Sequence, residues 1–277
     1  MSTTLNDVFG ADARIAQRQP GRLPDLVVAG GGGTLGSAIL EQLIARRRHA
    51  SVRLLVTQDL RSSVAGVEPW RIDAATLHDM PHDMPPDVPH DAARRVDIGL
   101  IVFDHRRHAN GRELAFLHPT PADLAPLARW MTAHGARDLI VVTPHQSSTL
   151  PGALKSGLNN LDEQALASLP IERLVFVRPA RGPLGVRADA WLQRVADGVL
   201  AQLRMMTPQV EQPVRARKVA QFVAALADQL PSSAGGTRVA PPELIWLAAQ
   251  QADPHALVEA WLAGRELPEP MPPRRRM

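Results

Sequence analysis

Leu23-Pro24-Asp25-Leu26-Val27-Val28-Ala29-Gly30-Gly31-Gly32-Gly33-Thr34-Leu35-Gly36 is the stretch on which the reading of the fold turns. Residues 23–29 form a short apolar run that ends in glycines, and their length and β-branching predict a buried strand. In residues 37–47 the apolar side chains Ala38, Ile39, Leu43 and Ile44 fall at helical spacing. Between the two, Gly30, Gly33 and Gly36 give the pattern G-x-x-G-x-x-G. The first glycine permits a tight turn, the second lets backbone approach a diphosphate, and the third allows close helix–strand packing. Free N–H groups around Thr34, Leu35 and Gly36 then supply an anion site at the helix start. A glycine-rich turn can also persist as scaffold alone. What argues for a phosphate site is the order strand, loop, helix, strand.

The alternation continues downstream. Strands are predicted at residues 52–57, 67–72, 96–103, 138–143 and 174–178, the second of these weakened by Pro69. Helices are predicted at 121–135, where Leu124, Leu127, Ala128 and Met131 share a face, and at 159–168. After residue 178 the pattern turns helical, at 188–206, 218–230, 242–251 and 254–263, with one short strand at 237–239. Strands alternating with helices imply an α/β fold with a doubly wound parallel sheet of the Rossmann type. The helical part, 178–265, is expected to cover the carboxyl edge of the sheet, on the substrate side. The chain thus divides into an irregular leader at 1–22, one Rossmann-type domain at 23–265 and a Pro/Arg-rich tail at 266–277.

In such folds an acidic residue ending the second strand holds the ribose 2′-OH of NAD. That end here reads Val56-Thr57-Gln58-Asp59-Leu60-Arg61. Thr57 and Gln58 are neutral, Asp59 falls later than expected, and Arg61 stands where it can face a 2′-phosphate. NADP is therefore favoured over NAD. Asp73, after the third strand, is placed either to reach an adenine edge or to sit solvated in its loop.

Composition removes several alternatives. The absence of cysteine excludes disulfides, thiolate metal sites and cysteine nucleophiles, and suits a reducing compartment. All but Lys155 and Lys218 of the 31 basic residues are arginines, yet the formal charge is only +3, so no nucleic-acid partner is read from them. Arg46-Arg47-Arg48 suits a helix C-terminus. Residues 1–20 carry no apolar signal core and no apolar run approaches a membrane span, so a cytoplasmic location is expected. Residues 78–91 form a His/Asp/Pro insert with His78, His82 and His90 among Asp79, Asp83, Asp87 and Asp91. Imidazole and carboxylate are metal ligands, but prolines at this density supply no fixed geometry, and a surface loop without metal is the reading preferred. His105 and His108, after the fourth strand, are read as a solvated turn near the expected cofactor edge.

Together these residues resemble the atypical short-chain dehydrogenase/reductases, specifically the NmrA-like and Tat-interacting-protein-like NAD(P)-binding proteins. The resemblance covers roughly residues 23–250. It is carried by Val27 to Gly36, by 106–117 (RRHANGRELAFL), by Gly135 to Val142, by Asp162 to Leu166, by Val177-Arg178-Pro179 and by 213–226 (PVRARKVAQFVAAL). It implies a bound NAD(P) and a Tyr-x-x-x-Lys pair, in which lysine lowers the tyrosine's pKa for proton exchange with a substrate carbonyl. That pair is missing. Lys155 falls where the tyrosine would be and Asn159 where the lysine would be, and the chain contains no tyrosine at all.

Thr143, His145 and Lys155, past the fifth strand, are the residues left to substitute for it, with Ser147 and Ser148 nearby. Single His and Ser residues are common in loops, so ordinary polar turn is the plainer reading. The leading expectation is a catalytically degenerate NAD(P)-binding protein acting as sensor, regulator or assembly partner, with a protein partner or a second copy. Two alternatives stand: an NAD(P)-dependent oxidoreductase or isomerase using His145 or Lys155, and a structural interaction protein that holds no nucleotide.

Overall fold

The computed structural model describes residues 22–60, 65–73, 77, 95–104, 114–143, 166, 168–179 and 214–267. Seven strands form one sheet in the order β3-β2-β1-β4-β5-β6-β7, and all six pairings are parallel. They are β1 Asp25–Ala29, β2 Ser51–Val56, β3 Val67–Arg71, β4 Ile98–Val102, β5 Asp138–Val142, β6 Arg173–Val177 and β7 Gly236–Ala240. The chain winds outward from β1 to β3, then returns to the other side of β1 and continues to β7. The carboxyl ends of β1 and β4 therefore flank the switch point, where a doubly wound sheet opens a crevice. This is the doubly wound Rossmann-type sheet that the sequence predicts.

Both faces of the sheet are buried, which is why its central strands read as unbroken apolar runs. Leu26, Val28, Leu54, Leu100, Ile140 and Val175 face one layer. That layer contains α1 (Gly33–Arg46), α3 (Ala216–Gln229), α4 (Pro242–Gln250) and α5 (His255–Leu262). Val27, Ala29, Leu55, Ile101, Val141 and Phe176 face the other, built on α2 (Leu124–Ala133). Gly99 of β4 faces α2, and a Cβ there would meet the Met131 sulfur at 2.6 Å, so its bareness lets the helix settle on the sheet. β3 is an edge strand, where Pro69 deprives no neighbour of a hydrogen bond.

Three differences from the sequence reading have physical causes. Helix α1 begins at Gly33, not at residue 37, because backbone hydrogen bonding starts inside the glycines, where apolar spacing carries no signal. A 3-10 turn, Pro121–Asp123, opens α2, with the Thr120 amide donating to Asp123 Oδ2 at 2.7 Å. Helices α3, α4 and α5 lie on the α1 face of the sheet rather than across its carboxyl edge. The apolar stripe of α3 (Val219, Phe222, Val223, Leu226) needs a broad apolar surface, and the face beside α1 offers one. The expected helix at 188–206, the 78–91 insert and the tail from residue 268 lie outside the described residues, as does the expected 159–168 helix apart from Leu166 and Ser168. Among the described residues no helix is long and apolar enough to cross a membrane.

Candidate functional site: the glycine bend and its resident carboxylate

Chain geometry at the switch point is set by backbone alone. Gly30 follows β1 with φ +91°, and a Cβ on it would collide with the Val102 carbonyl oxygen at the end of β4. Gly36, in the first turn of α1, passes so close to the Gly30 carbonyl that it too has no room for a Cβ. Gly33 adopts φ +79° and starts the helix. Tight turn and close helix–strand packing are thus real demands at Gly30 and Gly36. Gly33 needs its left-handed backbone for the turn into α1.

No side chain caps α1 from within its own loop: Gly32 is the N-cap residue, and no acidic residue lies in the first turn. The cap comes from β4. Asp104, two residues beyond that strand, accepts the Leu35 amide at 2.6 Å and the Gly36 amide at 3.2 Å, both on Oδ2. Two N–H groups converge on one anionic oxygen at the positive end of a helix, the arrangement that binds an oxygen of a phosphate. Thr34 is exposed beside it, and Ser37 Oγ turns back to donate to the Gly33 carbonyl.

A short segment of the chain lies over the same bend. Phe116 bridges antiparallel to Val56 at the end of β2, with the Leu117 amide donating to the Leu55 carbonyl at 3.0 Å and the Thr57 amide to the Ala115 carbonyl at 2.8 Å. A Cβ on Gly31 would find the Phe116 ring at 3.3 Å, and one on Gly32 would find His118 Cε1 at 2.8 Å. Buried Pro119 comes within 3.3 Å of the Cβ position of Gly30. Phe116, His118 and Pro119 thus line the bend from above.

The other sequence candidates fall as follows. Thr57 falls one residue past β2, which stops at Val56, its backbone is bound to the 114–117 segment, and its hydroxyl lies 3.4 Å from the Leu114 and Ala115 carbonyls. Asp59 pairs with Arg71 at 3.1 Å on the surface. Asp73 is exposed after β3, and its carbonyl accepts the Leu77 amide at 3.3 Å. Thr143 is half-buried at the end of β5, its amide donating to the Val177 carbonyl, on the same edge of the sheet as the glycine bend and two strands away. Arg61, His145 and Lys155 lie outside the described residues, so the structure brings together Gly30, Gly33, Thr34, Leu35 and Gly36 and adds Asp104, Phe116 and His118. Sequence reasoning passed over Asp104 for its neighbours His105 and His108. The signal was there: an acidic residue closing the strand next to β1 at the switch point. No group of three or more His, Cys, Asp or Glu among the described residues is arranged to hold a metal.

No protein-family model matches the chain, and a comparison with curated protein sequences gives no match. Some solved structures are similar to it at low identity. A Rossmann-fold NAD(P)-binding family protein from Shigella flexneri is 15% identical, with 76% of this chain and 88% of that one covered and a TM-score of 0.44. A short-chain dehydrogenase/reductase from Serratia marcescens is 18% identical over 80% of this chain and 98% of its own, with a TM-score of 0.45. The Citrobacter sp. triphenylmethane reductase, in its complex with NADP(H), is 16% identical over 77% and 68%, with a TM-score of 0.46. The fold is Rossmann-type on the evidence of its own strand order.

Proposed function

We propose that this chain is a catalytically degenerate NAD(P)-binding protein that holds a dinucleotide, or a diphosphate-bearing fragment of one, without turning it over. One observation carries the reading. The Leu35 and Gly36 amides already grip an anionic oxygen, that of Asp104, so the start of α1 works as an anion site. The donor set fits one oxygen of a diphosphate, for which the Asp104 carboxylate stands in. Leu35 and Gly36 would bind that phosphate in place of Asp104, and the positive end of the helix would favour its charge. A bound nicotinamide would supply hydride chemistry, but the chain has no tyrosine to complete it with a proton. A kept glycine loop without a tyrosine favours a sensing, regulatory or assembly role, and neutral Thr57 and Gln58 followed by Arg61 favour NADP.

Calorimetric titration with NADPH, NADH and ADP-ribose tests this. Heat with at least one of them, and no consumption of NADPH over a range of carbonyl substrates, is the expected result. Cooperatively folded protein that binds none of the three would remove the reading. A second reading, a structural interaction protein that binds no nucleotide, draws on Phe116 and His118 filling the space where side chains on Gly31 and Gly32 would stand, and the same silent titration would favour it.

A further inference from the structure

We infer that Asp104 is a built-in competitor for the phosphate loop, a specificity-determining carboxylate that must leave before an external anion can bind. This rests on the reading of the loop as a phosphate site. The Leu35 and Gly36 amides, two of the donors in the first turn of α1, both point at the single oxygen Asp104 Oδ2, at 2.6 and 3.2 Å. A phosphate oxygen cannot occupy the same point. Nor can it settle beside the carboxylate, since two anions a few ångströms apart repel strongly wherever water is partly excluded. Asp104 is half-buried, and Phe116 and His118 crowd the glycines next to it, so solvent screens the pair incompletely.

The contact is intramolecular, and it has a thermodynamic consequence. Apparent affinity for an external anion equals the intrinsic affinity multiplied by the fraction of molecules whose Asp104 has swung away. By reciprocity, whatever draws Asp104 off the bend raises affinity for the anion, and a bound anion releases Asp104. The site is then selective: an anion enters only if it beats a carboxylate already in place. A diphosphate, with more oxygens to offer than a carboxylate, meets that requirement better than a monoanion.

Three proteins, wild type, Asp104→Asn and Asp104→Ala, are titrated with inorganic pyrophosphate and with NADPH, while the Leu35 and Gly36 amide resonances are followed by NMR. Asn keeps the shape and removes the charge, and it guards against a fold lost in the Ala variant. Affinity for both probes rises about tenfold or more in Asp104→Ala, with Asp104→Asn between it and wild type. The two amide resonances move in the variants before any probe is added. Tighter pyrophosphate binding without NADPH binding in any protein upholds Asp104 as the competitor and removes the dinucleotide reading. Equal affinities in all three proteins, with the Leu35 and Gly36 resonances shifting on binding, overturn the competitor and leave the dinucleotide reading standing. Silence toward both probes in all three, with cooperative melting, overturns both.

Discussion

The two ends of the parallel sheet are held by different chemistry. At the amino end charged side chains pin the strand starts to one another. Buried Asp25 of β1 accepts from Arg22 at 2.5 Å and from the Ser51 hydroxyl of β2 at 2.6 Å, while its own amide donates to Asp97 just before β4 at 2.9 Å. Fully buried Asp138 of β5 meets Arg173 of β6 at 2.7 Å. At the carboxyl end the bend after β1 has glycines and amide hydrogens, and one carboxylate, borrowed from the loop after β4, neutralises the helix start. The amino end joins strand to strand through paired charges. The carboxyl end turns its donors to a single carboxylate, which on the reading proposed above another anion replaces.

Substitutions can break this contrast from either side. The largest effect is expected at Gly30. A valine there needs φ near +91° and drives Cβ into the Val102 carbonyl, so Gly30→Val costs several kcal/mol, on the order of 3–5. Urea denaturation measures it. Gly66 is the internal control: it also has positive φ, +80°, but open space around it, so Gly66→Ala costs only about 1 kcal/mol. A similar loss at both glycines would mean that the bend is not specially crowded.

At the amino end, Arg173→Ala removes the close arginine partner of a fully buried carboxylate. A loss of about 3 kcal/mol is expected in the same assay, with NADPH affinity unchanged. Asp104→Ala inverts the pattern. It costs about 1 kcal/mol of stability, because water and solvent ions can replace a half-buried cap, yet it changes ligand affinity. If Arg173→Ala altered affinity and Asp104→Ala did not, the division of labour between the two ends would be wrong.

The sheet was legible because its strands are buried on both faces: Val27-Val28-Ala29 and Leu139-Ile140-Val141-Val142 cannot be read as half-exposed. Pro69 was equally informative once taken to mean an edge. The glycine bend was legible as a bend, since Gly30 and Gly36 have no room for a side chain. What occupies it was not. Asp104 reaches Leu35 across 69 residues, and nothing in a local window ties a carboxylate after β4 to amides after β1. Phe116 and His118 were hidden for the same reason: their place over Gly31 and Gly32 follows from an isolated pairing with Val56, not from any periodicity. Thr57 lies one residue past β2, and its hydrogen bonds to the 114–117 segment depend on that same long-range pairing.

The smallest effect tests the amino end by pH. His49, between α1 and β2, is 9% exposed, and neither ring nitrogen has a hydrogen-bond partner among the described residues. Burial lowers its pKa from the ordinary 6.5, opposed in part by the negative charge of Asp228. The sign follows directly. Above pH 6.5 the imidazole is neutral in both folded and unfolded chains, so its contribution to stability is then constant. Below 6.5 the unfolded chain takes up a proton that the buried ring resists, and stability falls as the pH drops toward the lowered folded value. The urea midpoint should therefore decline between pH 7.5 and pH 5.5 more steeply in wild type than in His49→Leu. At pH 7.5 the leucine variant should be at least as stable, because replacing an unpartnered polar ring with an apolar side chain of similar bulk leaves no donor or acceptor stranded. Parallel pH profiles for the two proteins would show that His49 takes up a proton as readily in the fold as out of it. They would also show that the Asp228 carboxylate, itself tied to Arg46 at 3.1 Å, is close enough in effect to offset burial.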